Sequence, residues 1–284
     1  MGTMFQAAVL GIIQGLTEFL PISSTAHLRI FPSLFKWSDP GTTFSAVIQL
    51  GTMLSVIIYF RKDLLKIYGA LLKDIVGWCS NKIKLPFHSY ESKLGLWIII
   101  GTIPICIFGL LFKEPIEQGM VRSLNIISFY LIFFGLLLFL SELIARQTKT
   151  LDKINPLDVM LIGLTQSFAL IPGVSRSGVT LFAGLLLGFK RAHAARFSFL
   201  LSVPAVLASG ILELKTLVST IGTGSEQVIW VNILIGTIVA FFSGYFAIDF
   251  LLKYLQTHKT HVFVIYRIFL GCLVIYLNYK GIIY

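Results

Sequence analysis

Long runs without Asp, Glu, Lys or Arg divide this chain. They cover residues 44–60, 94–112, 123–141, 197–212 and 227–248, and a last run at 268–279 extends back through 262–266 across Arg267. A bilayer core of ~30 Å is crossed by about 20 apolar residues in a helix. Six full spans are therefore predicted, at about 43–60, 94–112, 123–142, 197–213, 228–250 and 262–280. The shortest run gains length from neighbours whose charged ends snorkel. Residues 64–79, with Leu64-Leu65-Lys66 and Leu71-Leu72-Lys73-Asp74, read as an amphipathic surface helix.

Two further apolar stretches are broken. One, about 5–35, runs into Glu18, Pro21, Ser23 and Ser24 before it resumes; the other, about 158–189, runs into Pro172-Gly173, Ser175, Arg176 and Ser177. Each arm is short for a span and ends in proline and small polar residues. This pattern predicts a re-entrant helix-loop-helix, and irregular backbone at membrane depth survives only where it lines a cavity or is buried in protein.

The broken segments match each other at an offset of 152: Gly11 on Gly163, Gln14 on Gln166, Ser23 on Ser175, Thr25 on Ser177. The next span continues one residue later, with Phe44-Ser45 on Phe197-Ser198. We read two halves, 1–150 and 151–284. The expected fold is an all-α integral membrane protein, a polytopic helical bundle of two repeats, each with one re-entrant helix-loop-helix and three full spans. Three crossings per half force inverted topology, and inverted repeats place a site where their broken helices meet near the midplane. Fifteen of the 23 Lys and Arg residues fall on one side, which is expected to be cytoplasmic. The first basic residue is Arg29, so no positive leader region precedes the first apolar stretch and no signal peptide is expected.

Composition agrees. Only 13% of the 284 residues are charged and 56% are hydrophobic, against roughly 25% charged in soluble domains. A soluble enzyme, a disordered chain and a disulfide scaffold are excluded. The net charge of +10 reads as loop charge beside anionic lipid; no nucleic-acid-binding motif accompanies it. Cys79, Cys106 and Cys272 read as small buried hydrophobes. His88, His193, His258 and His261 read as solvated loop residues. Arg267 and Asp249 read as a pair, or as snorkelling residues at the ends of adjacent spans. The Gly11/Gly15 and Gly184/Gly188 spacings read as helix-packing contacts.

Scarcity makes the remaining polar groups informative. Glu18 is the only acidic residue in the first 38 positions, and a lone buried carboxylate needs a cation, a metal or a proton. Gln14 lies one turn earlier on the same face, and Ser23, Ser24, Thr25 and His27 follow. In the second half Arg176 sits between Ser175 and Ser177, with Gly173, Gly178 and Thr180 nearby. A guanidinium fork, exposed backbone N–H groups and a helix start make an anion cradle. Glu18, His27 and Arg176 are expected to converge. A carboxylate beside a phosphate suggests a divalent cation between them, held by Glu18 with Gln14.

At these residues the chain resembles the bacitracin-resistance type of undecaprenyl-diphosphate phosphatase. Gln14-Gly15-Leu16-Thr17-Glu18-Phe19-Leu20-Pro21-Ile22-Ser23-Ser24-Thr25-Ala26-His27 is similar to that family's first signature, in its Gln form and with Ala26 where glycine is common. Pro172-Gly173-Val174-Ser175-Arg176-Ser177-Gly178-Val179-Thr180 is similar to its second. The resemblance implies a multi-pass hydrolase of the bacterial cytoplasmic membrane. It would take the terminal phosphate from a C55 polyprenyl diphosphate, recycling the carrier for peptidoglycan synthesis, with bacitracin competing for the substrate. It further implies Mg²⁺ or Ca²⁺ and a site opening to the outer face. Arg176 with the backbone of 175–178 would hold the diphosphate, helped by Gln14, Ser23, Thr25, Gly173, Ser177 and Thr180. Glu18 would position the metal or polarise water. His27 is base, acid or nucleophile; Ser24 and water are the rival nucleophiles. A carrier or flippase for a phosphorylated lipid is the competing class. Oligomeric state is left open, homodimer included.

Overall fold

The computed structural model describes residues 3–80, 87–112, 123–220 and 226–283, and what it describes is all-helical apart from one isolated bridge, Lys149 to Phe189. Lys82, Lys84, Lys113 and Arg122, which entered the orientation argument, lie outside the described residues.

Local chemistry sets the helix ends. α1 (Met4–Phe19) opens on a capping box between Thr3 and Gln6 and stops at extended Leu20, where Pro21 disfavours further helix. α2 (Ser24–Leu34) follows. α3 (Gly41–Tyr59) and α4 (Arg61–Cys79) meet at Phe60 in a bend of 80°. α5 (Tyr90–Leu111) and α6 (Leu124–Ile144) are capped by Ser89 and Ser123. α7 (Pro156–Gln166) has Asn155 and Asp158 as its capping box and proline at its first position, and runs on as one 3₁₀ turn, Ser167–Leu170. α8 (Arg176–Leu186), α9 (Arg191–Thr220), α10 (Glu226–Thr257) and α11 (His261–Tyr279) complete the chain.

Among the described residues, five helices are long and apolar enough to cross a membrane: α5, α6, residues 191–215 of α9, residues 230–257 of α10, and α11. They coincide with five of the predicted spans. The predicted span 43–60 is α3, which meets the same test only together with α4, making a sixth crossing if the bent pair counts as one. α4 is two-faced as expected. Leu64, Ile67 and Leu71 are buried, with Ile67 and Leu71 against Gly95 of α5, while Leu65, Leu72 and Val76 lie exposed beside Lys62, Lys66 and Lys73. The helices of the broken segments (α1, α7, α8) are short and apolar.

Large apolar side chains cover much of the surface while a set of polar groups is buried. Phe5, Leu110, Phe246 and Phe269 are among many exposed large hydrophobics, whereas Gln14, Glu18, Ser175, Ser177, Thr180 and Arg267 are buried. Hydrocarbon as solvent produces this inversion, because it cannot solvate polar groups. The three cysteines obey it too: all are free and exposed, not buried as expected, since an apolar sulfur loses nothing by facing lipid.

Helix packing crosses between the halves. α1 and α3 lie on α10, whereas α7 and α9 lie on α5, and α6 pairs with α11. Glycine allows the closest approaches. A Cβ on Gly11 would sit 2.5 Å from the Gly236 carbonyl oxygen, and one on Gly163 would sit 2.5 Å from that of Gly101. Gly184 does pack, on Ala194, but Gly188 does not; at φ +86 with open space around it, it ends α8. At one end Glu142 binds Arg191 through both oxygens (2.7–3.0 Å) and accepts from the Thr260 N–H, fastening α6, α9 and α11 together. Two histidines expected to be solvated take part in packing: His193 Nδ1 accepts from the Leu151 N–H, and His261 lies against Phe139.

Candidate active site

The two breaks share one backbone solution. Ser23 has φ 75°, ψ 97° and Ser175 has φ 71°, ψ 111°, a left-handed conformation that costs a non-glycine residue about 1–3 kcal/mol. Each serine then caps the helix it begins. Ser23 Oγ accepts from the Ala26 N–H (3.4 Å) and Ser175 Oγ from the Gly178 N–H (3.1 Å). Each also meets the hydroxyl two residues on, Thr25 at 3.1 Å and Ser177 at 3.2 Å. Gly173, at φ +97, completes the second turn and backs onto the Ile127 carbonyl, where a Cβ would clash at 2.5 Å. The turns touch: Ser177 Oγ donates to the Leu20 carbonyl (3.1 Å), and the Gly173 N–H donates to Thr25 Oγ1 (3.5 Å).

Glu18 is brought to this junction from the end of α1, its side chain 3% exposed. Four donors surround it. Oε1 accepts from Arg176 Nη2 (2.6 Å) and Gln49 Nε2 (2.7 Å); Oε2 accepts from Ser24 Oγ (2.7 Å) and Gln14 Nε2 (2.9 Å). Gln14 reaches Glu18 as the four-residue spacing predicts. Arg176 also donates to the Ser202 carbonyl (3.3 Å). Thus Glu18 and Arg176, 158 residues apart, do converge.

Gln49 was not anticipated. It is the only amide side chain within the charge-free run 44–60, and that isolation was a readable signal.

Among the described residues His27 makes no hydrogen bond to this pair. Its Nδ1 lies 2.7 Å from the Ser23 carbonyl oxygen and its Nε2 lies 2.7 Å from Tyr266 Oη. Although α2 puts Ser24 and His27 three residues apart on a helix, no hydrogen bond joins them among the described residues; Ser24 is turned to Glu18. Thr180 Oγ1 donates to the Arg176 carbonyl (2.8 Å) and pairs with Ser198 Oγ. The hydroxyls of Ser175, Ser177 and Thr180 are therefore engaged in holding the turn.

Arg267 corrects the sequence reading most. It neither snorkels nor pairs with Asp249, which binds Lys253 and the Tyr59 hydroxyl instead. Its side chain is fully buried in α11 and donates to five carbonyls. Pro21 (3.1 Å) is in the first turn; Gly173 and Val174 (both 3.0 Å) are in the second; Tyr130 (3.3 Å) and Leu131 (3.0 Å) are in α6. One planar fork ties both turns to one helix, a task suited to guanidinium geometry.

The site holds one carboxylate and one guanidinium in direct contact, so its own charges nearly cancel. A multiply charged anion entering it would take over the Arg176 fork and free Glu18. Among the described residues no three His, Cys, Asp or Glu side chains cluster as a metal centre. The groups around Glu18 are nonetheless ones that can offer hard oxygens: its carboxylate, the Ser24 hydroxyl, and the amides of Gln14 and Gln49, which now present Nε2 to Glu18 and would turn over to offer their oxygens. That set fits Mg²⁺ or Ca²⁺ when phosphate oxygens complete the shell, as one carboxylate plus substrate phosphate commonly does for Mg²⁺.

Known proteins are similar to this chain in sequence along nearly its whole length. The family model "Bacitracin resistance protein BacA" matches residues 7–273. A protein of Chloroherpeton thalassium named undecaprenyl-diphosphatase is 49% identical over 276 residues, 94% of each chain. Proteins of the same name from Myxococcus xanthus (48%, covering 98% of this chain and 90% of that one) and Pelodictyon phaeoclathratiforme (47%, 99% of each) are similar along their length. Both polar turns, Glu18, Arg176 and Arg267 fall inside the matched region, and the chain belongs to the BacA family of bacitracin resistance proteins.

Proposed function

We propose that this chain is an undecaprenyl-diphosphatase. It removes the terminal phosphate of undecaprenyl diphosphate, giving undecaprenyl phosphate and inorganic phosphate, and so recycles the lipid carrier for cell-wall synthesis and confers bacitracin resistance. The observation that carries the reading is the buried Glu18–Arg176 pair (2.6 Å) at the meeting of two polar turns in an otherwise apolar protein. Unlike the Glu142–Arg191 pair, which fastens helices at one end, this pair joins the two broken segments where their turns meet.

In the reaction, the diphosphate displaces Glu18 from Arg176. The Arg176 fork and the N–H groups at the start of α8 then hold the anion and stabilise charge developing on the equatorial phosphoryl oxygens. Ser23, Thr25, Gly173, Ser175, Ser177 and Thr180 contribute through the backbone that they hold in place. Glu18, Gln14 and Gln49 would hold a divalent cation, which supplies charge neutralisation at the phosphates. The oxygen of water ends on the terminal phosphorus, and the bond from that phosphorus to the bridging oxygen breaks. His27 takes the attacking group's proton or attacks itself, with Ser24 as the rival nucleophile.

The membrane arrangement belongs to the same reading. The matched serine geometry at Ser23 and Ser175, and packing in which α1 lies on α10 while α7 lies on α5, support two inverted repeats, 1–150 and 151–284, with re-entrant tips. The site would open to the outer face of the cytoplasmic membrane, where bacitracin competes for the substrate.

The test is phosphate release from undecaprenyl diphosphate by purified protein in detergent, with His27→Ala and Ser24→Ala variants and trapping of any phosphoenzyme. Phosphate release that is abolished in one of these variants supports the reading. Lipid translocation in vesicles with no phosphate released would replace it with a flippase.

A further inference from the structure

We propose that Tyr266 is a positioning residue for His27, an element of the site supplied by α11 and contained in neither of the two signature segments. The inference rests on the reading of His27 as base or nucleophile.

The hydrogen-bond roles follow from which atoms can donate. A carbonyl only accepts, so the contact from His27 Nδ1 to the Ser23 oxygen puts a proton on Nδ1. In the neutral ring Nε2 is then the acceptor, and the partner that it meets is the Tyr266 hydroxyl at 2.7 Å. The two ring planes are nearly parallel, 6° apart, with centroids 5.6 Å apart. The imidazole is thereby pinned at both nitrogens, by its own turn and by a helix 239 residues away. Nε2 is the one nitrogen left to act on a phosphoryl group, and the phenol keeps its lone pair aimed at a defined point. Such a second hydrogen bond is what fixes a functional histidine's tautomer and orientation.

Tyr266 is itself well placed to do this. The next residue, Arg267, is locked by five carbonyls of both turns and α6, which sets the rotation of α11 at this level. Tyr266 is 40% exposed, so its ring can swing outward when a phosphate arrives at Nε2, without unpacking the core. The Tyr266-Arg267 dipeptide thus sets both the catalytic ring and the turn beneath it from one helix.

The decisive variant is Tyr266→Phe in the full-length protein in detergent. With one anchor gone, the ring samples misaligned positions; kcat is expected to fall about 10-fold with KM changed less than about 2-fold. The second measurement needs no activity. In protein labelled with ¹⁵N-histidine, the His27 signals, identified by their loss in His27→Gln, are expected to show a protonated Nδ1 and an unprotonated, hydrogen-bonded Nε2, and Tyr266→Phe is expected to shift Nε2. A wild-type kcat in Tyr266→Phe, a rise confined to KM, or a protonated Nε2 in the neutral wild-type ring would each overturn the proposal. His27→Ala separates the two readings: full activity there removes His27 from the mechanism, whereas an inactive His27→Ala beside a fully active Tyr266→Phe removes Tyr266 alone.

Discussion

Arg267→Lys keeps the charge and changes only the fork. Arg267 satisfies five carbonyls drawn from three separate elements. A lysine ammonium has three N–H groups at a single point, so at least two of these carbonyls lose their partner in a fully buried place. Each orphaned buried acceptor costs about 1–3 kcal/mol, which gives a loss of about 2–6 kcal/mol. At about 2–4 °C per kcal/mol for large domains, the unfolding midpoint in detergent is expected to drop by about 4–24 °C. The two turns also lose their common tie. A displacement of about 1 Å between Glu18 and Arg176 would cost about 10²-fold in turnover. Thermal unfolding followed by tryptophan fluorescence, and phosphate release at 20 °C well below either midpoint, read the two effects separately. Arg267→Met, which leaves all five carbonyls bare, is expected to be worse on both. An Arg267→Lys protein with an unchanged midpoint and unchanged turnover would refute the tie, because a charge alone would then be doing what we assign to the fork.

Three other outcomes are expected. Arg176→Lys should lower kcat/KM for undecaprenyl diphosphate about 100-fold while the protein stays folded, since a point charge lacks the bidentate fork; near-normal phosphate release would dismiss Arg176 as the clamp. Exhaustive treatment with EDTA should abolish phosphate release, and Mg²⁺ or Ca²⁺ should restore it; turnover that survives chelation would remove the cation from the proposed mechanism. Gly15→Ala should destabilise by about 1–3 kcal/mol, because its Cβ would fall 1.9 Å from Ser243 Oγ and 2.6 Å from the Gly244 nitrogen. Gly69→Ala, with nothing within 4 Å, serves as its control, and equal midpoints for the two variants would contradict the packing of α1 on α10.

The spans were legible because a bilayer imposes one crude rule, length without charge, and five predicted runs became helices that satisfy it. The sixth was half legible. The run 44–60 ends where Arg61 and Lys62 begin a helix that is polar on one side, yet nothing in the pattern gives the angle at Phe60. Glu18 and Arg176 were legible through rarity, since each is a charge where charge is expensive. Arg267 obeys the same logic, but its place near the end of an apolar run made snorkelling the simpler reading. Its five carbonyl partners are backbone atoms and leave no trace in residue identity. Tyr266 and Gln49 lie outside both signature segments, and tyrosine near a membrane interface is too ordinary to signal. His27 was expected beside Glu18; a helix does place Ser24 near it in sequence, but the Ser23 carbonyl and the Tyr266 hydroxyl have taken both ring nitrogens.

The crossed packing of the halves has a consequence for biosynthesis. α1 rests Gly11 against Gly236, and Glu18 has Arg176 as its counter-ion, so neither partner exists when α1 leaves the ribosome. At about 5–20 residues per second, Arg176 follows Glu18 by about 8–30 s and Gly236 follows Gly11 by about 11–45 s. For that interval α1 is a 16-residue helix, short for a span, and its carboxylate has only the neutral donors Gln14, Ser24 and Gln49. It reaches its packing partner α10 only when the second half arrives. The centre of this protein is thus the last part of it to be built.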